Sequence, residues 1–88
     1  MKDLCFKSAP IISLLMDENH RQLKKWGVQD HDPFMWLAFT LEELGELSEA
    51  INEWHFRGAS SEDVVNEAVQ TATLALKIAE MFIEEGNK

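Results

Sequence analysis

The sequence is poor in cysteine and contains no long apolar run. Cys5 is its single cysteine, so an internal disulfide cannot form, and no cysteine and histidine cluster has the spacing of a zinc finger. No stretch of about 18 apolar residues is present, which argues against a membrane span. The amino-terminal segment lacks the apolar core of a signal peptide. These absences predict a cytoplasmic protein without a membrane partner.

Basic residues are also scarce. Eight lysines and arginines stand against sixteen aspartates and glutamates, and the formal net charge is -8. Such a surface repels DNA, RNA and anionic membranes, so metal cations are the favoured electrostatic partners. With 88 residues, of which 45% are hydrophobic, the chain predicts a single domain spanning 1–88. A domain this small buries little surface, so oligomerisation is a natural way to complete its core.

The first helix is predicted from its start and stop signals. Ser8 can cap free amides, and Pro10 is tolerated in a first helical turn. Apolar residues recur at helical spacing after that point. The helix is expected to run roughly from Ala9 to Trp26 and to end at Gly27.

Two further helices are predicted from the same kinds of signal. Asp32-Pro33 repeats the pattern of a cap followed by proline, which predicts a second helix roughly from Phe34 to Phe56. Ser60 with Asp63 approximates a capping box and predicts a third helix roughly from Ser61 to Glu84. No strand-like alternation competes with these helices. We therefore expect an all-α bundle of three main helices that is completed by oligomerisation.

The second helix carries two stripes. Its apolar side comprises Leu37, Leu41, Leu44, Leu47, Ile51 and Trp54, and its acidic side comprises Glu42, Glu46, Glu49 and Glu53. Glu43 lies at the edge of the apolar stripe and therefore needs a partner. Glu46, three residues later, can converge with Glu43 on one cation. Gly45 costs about 1 kcal/mol in a helix relative to alanine, which predicts that another backbone or a ligand approaches closely there.

The third helix is apolar around most of its circumference, which predicts that it is the central helix. Glu67 sits within this apolar surface, so a metal, another cation or a shifted pKa is expected. Gln70 follows three residues later and forms a second pair with Glu67. Hard oxygen ligands on two facing helices predict a Mg²⁺ or Mn²⁺ site.

These residues resemble the MazG-like members of the all-α nucleoside triphosphate pyrophosphohydrolases. The family pattern is a Glu-x-x-Glu pair, a short interval and then Glu-x-x-Asp. Trp36-Leu37 followed by Glu42-Glu43-Leu44-Gly45-Glu46-Leu47 matches the first half, and Glu67 begins the second. The segment Arg21–His31 is similar to a subgroup from bacteria and phages, and the likeness covers roughly 20–82. The sequence departs from the pattern at Gln70, where the wider family has aspartate.

The resemblance implies Mg²⁺-dependent hydrolysis of a nucleoside or deoxynucleoside triphosphate to the monophosphate and pyrophosphate, as in house-cleaning of nucleotide pools. The implied metal ligands are Glu43, Glu46, Glu67 and, more weakly, Gln70. Glu42, Glu46 or Glu49 would be the general base. His31, Trp36 and Trp54 are the implied nucleoside contacts. The implied assembly is a homodimer or homotetramer.

Simpler interpretations remain open at this point. A Glu-x-x-Glu pair in an acidic chain can be ordinary solvated surface, and Glu67 can form an ion pair with Lys77 or with an arginine of a partner chain. The tryptophans can be core or interface residues. Because a neutral amide at Gln70 binds a hard cation less strongly than a carboxylate, the chain can also be a nucleotide-binding or structural helical oligomer with weakened catalysis.

Overall fold

A computed structural model describes residues 9–85 of the protein, which form three α-helices and no strand. They are α1 (Ala9–Trp26), α2 (Pro33–Arg57) and α3 (Ser61–Glu84). The predicted bounds of α1 and α3 are confirmed, and α2 extends one residue further than expected at each end. The cap predicted at Ser8 lies outside the described residues. The all-α class is confirmed.

Side-chain caps explain where α2 and α3 begin. Oδ1 of Asp32 accepts a hydrogen bond of 2.8 Å from the backbone amide of Met35, so a free donor of the first turn is satisfied. The hydroxyl of Ser60 accepts from the backbone amide of Glu62 at 3.0 Å. A capping box would use the amide of Asp63, one residue later, so Ser60 is a simple cap.

Glycines with a left-handed backbone explain where α1 and α2 end. Gly27 has a φ of +72° and donates its backbone N–H to the carbonyl of Leu23 at 2.8 Å. Gly58 has a φ of +68°, and its N–H donates to the carbonyl of Glu53. L-residues with a side chain rarely adopt this conformation, so both helices end at the glycines.

The central helix of the fold is α3, as its sequence predicts. Both α1 and α2 pack against it, whereas no Cα atom of α1 lies within 8 Å of one in α2. The three-residue connection 58–60 makes α2 and α3 antiparallel neighbours. Residues of all three helices line the space between α1 and α2, and the candidate site adjoins it.

The buried core is small. Trp36, which is 6% exposed, is the one large apolar side chain that is buried among residues 9–85, accompanied by the polar Gln22 and Thr73. No other part of the described chain approaches Gly45, because a Cβ atom placed there would meet no atom within 4 Å, and the approach of a ligand at this position stays a prediction. None of the three helices has the length and apolarity that crossing a bilayer requires.

Candidate metal centre

Three carboxylates converge between α2 and α3. Glu43 and Glu46 lie on successive turns of α2, and one oxygen atom from each lies within 4.8 Å of an oxygen atom of Glu67 on α3. The Oε2 atoms of Glu43 and Glu67 are buried and receive no hydrogen bond, while Glu46 is exposed. This carboxylate cluster brings together three of the four residues that the sequence suggests as metal ligands.

The cluster changes the acidity of Glu43. Burial raises the pKa of this carboxyl first, and the negative charge of Glu46 raises it further. Hydrogen bonds that a proton on Glu43 can make to Glu67 and Glu46 act in the same direction, and the pKa reaches about 7. Carboxylates that hold a proton to limit their repulsion can hold a cation in its place.

The nearby basic side chains are engaged elsewhere. Lys77 lies ten residues after Glu67, roughly 15 Å further along α3 at 1.5 Å per residue. Its ammonium group donates to Oε1 of Gln22 at 2.6 Å. Arg21 donates from Nε and Nη2 to both carboxylate oxygens of Glu18, at 2.8 and 2.7 Å. The structure therefore does not form the Glu67–Lys77 ion pair that the sequence left open.

An acidic groove opens on one side of the carboxylate cluster. Its volume is about 550 Å³, and it is lined by five carboxylates without a basic residue, namely Glu46, Glu49, Glu53, Asp63 and Glu67. Gln70 also lines the groove, so its amide lies beside the cluster. Asp63, one turn before Glu67, supplies a further carboxylate on the α3 side. The lining of the groove offers hard oxygen ligands, and the basic side chain beside it is that of Arg57, whose Nε lies 3.7 Å from Oε1 of Glu53.

An aromatic cavity of about 280 Å³ lies on the other side of the cluster, between all three helices. Three aromatic rings line it, those of Trp26, Trp36 and Phe39, together with the amide side chains of Gln22, Gln29 and Gln70. Glu42 and Glu43 form its acidic edge, and Arg21 is the one basic residue of the lining. Because Gln70 lines both hollows, the groove and the cavity adjoin at the carboxylate cluster.

The residues suggested as nucleoside contacts occupy three different environments. Trp36 lines the aromatic cavity. His31 packs edge-on against Trp36 and Phe39, with ring centroids 5.2 and 5.3 Å apart, and so supports the wall of the cavity. Trp54 is 44% exposed and lies eleven residues after Glu43, roughly 16 Å along α2. The structure thus groups His31 with Trp36 and places Trp54 apart from them.

Sequence reasoning did not single out the part of the cavity that α1 and the following loop contribute. Arg21, Gln22, Trp26 and Gln29 all fall within 21–31, the segment whose likeness to a subgroup of the family is noted above. Helical periodicity identifies the polar and apolar sides of α1, but it does not reveal which residues of α2 those sides face. The likeness of segment 21–31 to a subgroup of the family was the one sequence signal that could have identified this part of the cavity.

Comparison of the chain with family models, curated proteins and solved structures finds no match. The carboxylate cluster and the two hollows beside it are therefore the features from which a function is inferred. Their chemistry combines hard oxygen ligands with an adjoining aromatic surface.

Proposed function

We propose that the protein is a Mg²⁺-dependent nucleoside triphosphate pyrophosphohydrolase. The observation that carries the proposal is the carboxylate cluster, in which Glu43 and Glu67 lie close together and each has a buried oxygen without a hydrogen-bond donor. Burying unpartnered carboxylates is costly, so the arrangement is best explained by a cation that it binds. The MazG-like sequence pattern implies the same ligands.

The donor set fits a small divalent cation. Glu43, Glu46 and Glu67 offer carboxylate oxygens, and the amide of Gln70 can add a neutral oxygen. Mg²⁺ and Mn²⁺ prefer such oxygen ligands, and the site contains no cysteine or histidine that would select zinc. Mg²⁺ is held in proteins by few carboxylates and by the phosphates of its substrate, which suits a groove open to solvent.

The residues of the chain would divide the reaction between them. The bound cation would offset the charge of the triphosphate and lower the pKa of a water molecule. Glu42, Glu46 or Glu49 would take the proton of that water as its oxygen adds to the α-phosphorus. The bond from the α-phosphorus to its bridging oxygen then breaks, and pyrophosphate leaves with that oxygen.

The nucleoside would occupy the aromatic cavity. Trp26, which is half exposed, offers a surface for stacking, and the buried Trp36 forms part of the cavity wall, while the amides of Gln22 and Gln29 offer hydrogen bonds to base or sugar. The cavity adjoins the carboxylate cluster through Glu43, so a nucleoside there would place its triphosphate at the cluster. House-cleaning of nucleotide pools is the role that such a reaction would serve.

The test is pyrophosphate release from a panel of canonical and modified nucleoside triphosphates, with Mg²⁺ or Mn²⁺ and an EDTA control. Glu67→Gln should abolish release, since it removes a ligand and a charge while it keeps the shape of the side chain. Glu84→Gln is the matched control, because this exposed glutamate lies on the same helix, roughly 25 Å from Glu67. Equal release by both variants would overturn the proposal.

A second candidate is a nucleotide-binding protein with weak turnover, which the amide at Gln70 favours. Gln70→Asp restores the carboxylate of the family pattern and should raise metal affinity and turnover if the site is a weakened enzyme. Calorimetric titration of Mg²⁺ and a non-hydrolysable nucleotide into both forms measures binding separately from catalysis. Tight binding without turnover in either form would select this second function.

The protein is also proposed to work as a homodimer or homotetramer. The single large buried apolar side chain in residues 9–85 is too little core for three helices. A bundle in which copies share their apolar faces would supply the missing burial.

A further inference from the structure

Arg21 brings a positive charge to the acidic edge of the aromatic cavity. Among residues 9–85, it is the one basic residue that lines either of the hollows beside the carboxylate cluster. The hydrogen bonds to Glu18 raise the pKa of Arg21 most, burial lowers it, and the negative charges of Glu18 and Glu43 raise it again. Glu43 therefore lies close enough for its charge to act on the guanidinium group of Arg21.

The guanidinium group of Arg21 has two edges with paired donors, and Glu18 occupies one of them. Nε and Nη2 donate to the two carboxylate oxygens of Glu18 at 2.8 and 2.7 Å. A guanidinium group carries five N–H donors in a rigid plane, so the second edge keeps one N–H of Nη1 and one of Nη2. Within residues 9–85, no hydrogen bond engages this second edge. Arg21 therefore holds a free pair of parallel donors beside the cavity.

The carboxylate that holds Arg21 is itself fixed in place. The side chain of Glu18 is 10% exposed, and its Oε2 atom also accepts a hydrogen bond of 2.7 Å from Nε2 of the buried Gln22. Oε1 of Gln22 in turn accepts from the ammonium group of Lys77 on α3. The side chain of Arg21 is 46% exposed, so a ligand can reach it. An arginine with one edge fixed and one pair of donors free is preorganised for binding.

A phosphate group has the chemistry that the free edge recognises. Two parallel N–H donors match two oxygens of a phosphate, and arginine binds phosphates in this bidentate way. In the proposed reaction, a divalent cation offsets only part of the charge of a triphosphate, and the glutamates of the cluster repel it further. A positive group of the protein beside the phosphates would offset the remainder, and Arg21 is the basic residue that the cavity supplies.

The position of Arg21 favours the α-phosphate over the other two. The nucleoside would lie in the aromatic cavity and the metal at the carboxylate cluster, so the α-phosphate would lie where they meet. Glu43 marks this junction, because it belongs both to the lining of the cavity and to the cluster. Arg21 lines the cavity beside Trp26, whose ring centroid is 5.7 Å from its Cζ atom. Its charge therefore sits between the surface for stacking and the cluster.

We propose that Arg21 is a further catalytic residue, which donates from Nη1 and Nη2 to non-bridging oxygens of the α-phosphate. This inference rests on the proposed function, because it requires a nucleotide between the cavity and the cluster. As the water oxygen adds to the α-phosphorus and the bond to the bridging oxygen breaks, the guanidinium group stabilises the negative charge on these oxygens. Arg21 neither gives nor takes a proton in this step. Glu18→Gln keeps an oxygen acceptor for Nε, so the guanidinium group should stay in place in that variant.

The first experiment measures kcat and KM for the nucleoside triphosphate that the unmodified protein hydrolyses fastest. Arg21→Ala should lower kcat at least about a hundredfold, and Arg21→Lys, which keeps the charge but not the paired donors, about tenfold. Millimolar guanidinium chloride should restore part of the activity of Arg21→Ala, whereas sodium chloride should not. Lys25→Ala is the matched control, because its Nζ lies 4.7 Å from the Trp26 ring centroid but Lys25 does not line the cavity. A kcat of Arg21→Ala equal to that of this control would overturn the inference.

A binding measurement separates this inference from the reaction itself. Calorimetric titration with Mg²⁺ uses the canonical deoxynucleoside monophosphates, which retain the α-phosphate, and the corresponding nucleosides. Arg21→Ala should weaken binding of the monophosphate at least about tenfold and leave binding of the nucleoside unchanged. Equal affinity of both proteins for the monophosphates, or no binding of any of them, would count against Arg21. Binding that depends on Arg21 in a protein without turnover would support the inference and reject the pyrophosphohydrolase alone.

Discussion

The interfaces that α3 forms with α1 and with α2 shift the pKa of their acidic side chains in opposite directions. Towards α1, the carboxylate of Glu18 accepts hydrogen bonds from Arg21 and from Gln22, and Lys77 donates to the same Gln22. Burial raises the pKa of Glu18, but the hydrogen bonds from Arg21 and Gln22 outweigh it and the pKa is lowered. Towards α2, Glu43 meets two further glutamates and its pKa is raised to about 7.

The comparison sets a network of paired charges beside a cluster of acidic groups that lack such partners. Every charge in the α1–α3 network has an opposite charge or an amide as its partner, so the network joins two helices. The carboxylate cluster has three like charges and buried oxygens without a donor. An arrangement that is unfavourable on its own would become favourable if a cation bound, which is why a metal site is proposed there.

The largest expected effect is on turnover. Glu67→Gln should lower pyrophosphate release at least about a hundredfold, since loss of a ligand is expected to weaken transition-state stabilisation by about 3 kcal/mol. Glu18→Gln, the same chemical change in the α1–α3 network, should leave turnover within a few-fold of the unmodified protein. Initial rates at saturating Mg²⁺ distinguish the two variants. A similar loss of turnover in both would mean that the α1–α3 network and the carboxylate cluster do not differ in function.

The next largest effect is expected on the free energy of unfolding, from a substitution in the α1–α3 network. Gln22 is 4% exposed and bridges Glu18 and Lys77, so Gln22→Leu leaves both charged groups without their amide partner. The free energy of unfolding should fall by about 2 to 3 kcal/mol. Urea titration followed by circular dichroism measures it. A stability equal to that of the unmodified protein would mean that the network does not hold α1 on α3.

The carboxylate cluster should make the free energy of unfolding depend on pH, in the direction opposite to that expected from Glu18, whose pKa is lowered. Because the pKa of Glu43 is raised from 4.5 to about 7, the folded protein holds more protons than the unfolded chain between these values. Without metal, the free energy of unfolding should therefore fall as pH rises through this window. Glu43→Gln should remove the slope and give a higher melting temperature at pH 8. Thermal melts in EDTA from pH 5 to 8 test this.

Adding Mg²⁺ should reverse that trend in the unmodified protein. In the proposed site ionised Glu43 would be the metal-binding form, so stabilisation by Mg²⁺ should grow as pH rises through about 7. Stabilisation that is independent of pH, or that is equal in Glu43→Gln, would place the cation elsewhere.

The smallest expected effect is on the stability of α2, at a position away from both interfaces of α3. Gly45 lies in neither of the two interfaces of α3 and has open space where a Cβ atom would lie. Gly45→Ala should raise the free energy of unfolding by about 1 kcal/mol through helix propensity alone. Turnover should not change. A loss of stability in urea titration would show that another molecule packs against Gly45 in solution.

Several features of the fold could be predicted because they are local. Asp32 and Ser60 cap the first turns of their helices, and Gly27 and Gly58 end theirs, through interactions that span only a few residues. The convergence of Glu43 with Glu46 follows from helical spacing in the same way. The prediction of a close approach at Gly45 finds no neighbour within the described chain, because such a prediction requires knowledge of the neighbour, which helical spacing does not contain.

The sequence by itself determined three helices, their bounds to within a residue, the acidic charge, and the pairing of Glu43 with Glu46 on α2 and of Glu67 with Gln70 on α3. Only the tertiary structure decided that Glu67 meets Glu43 and Glu46, that Lys77 turns to Gln22 instead, and that α1 encloses an aromatic cavity. The physical reason is the distance along the sequence between the residues that interact. Hydrogen bonds and caps within a helix depend on residues a few positions apart, whereas the rotation of one helix against another depends on side chains distant in sequence.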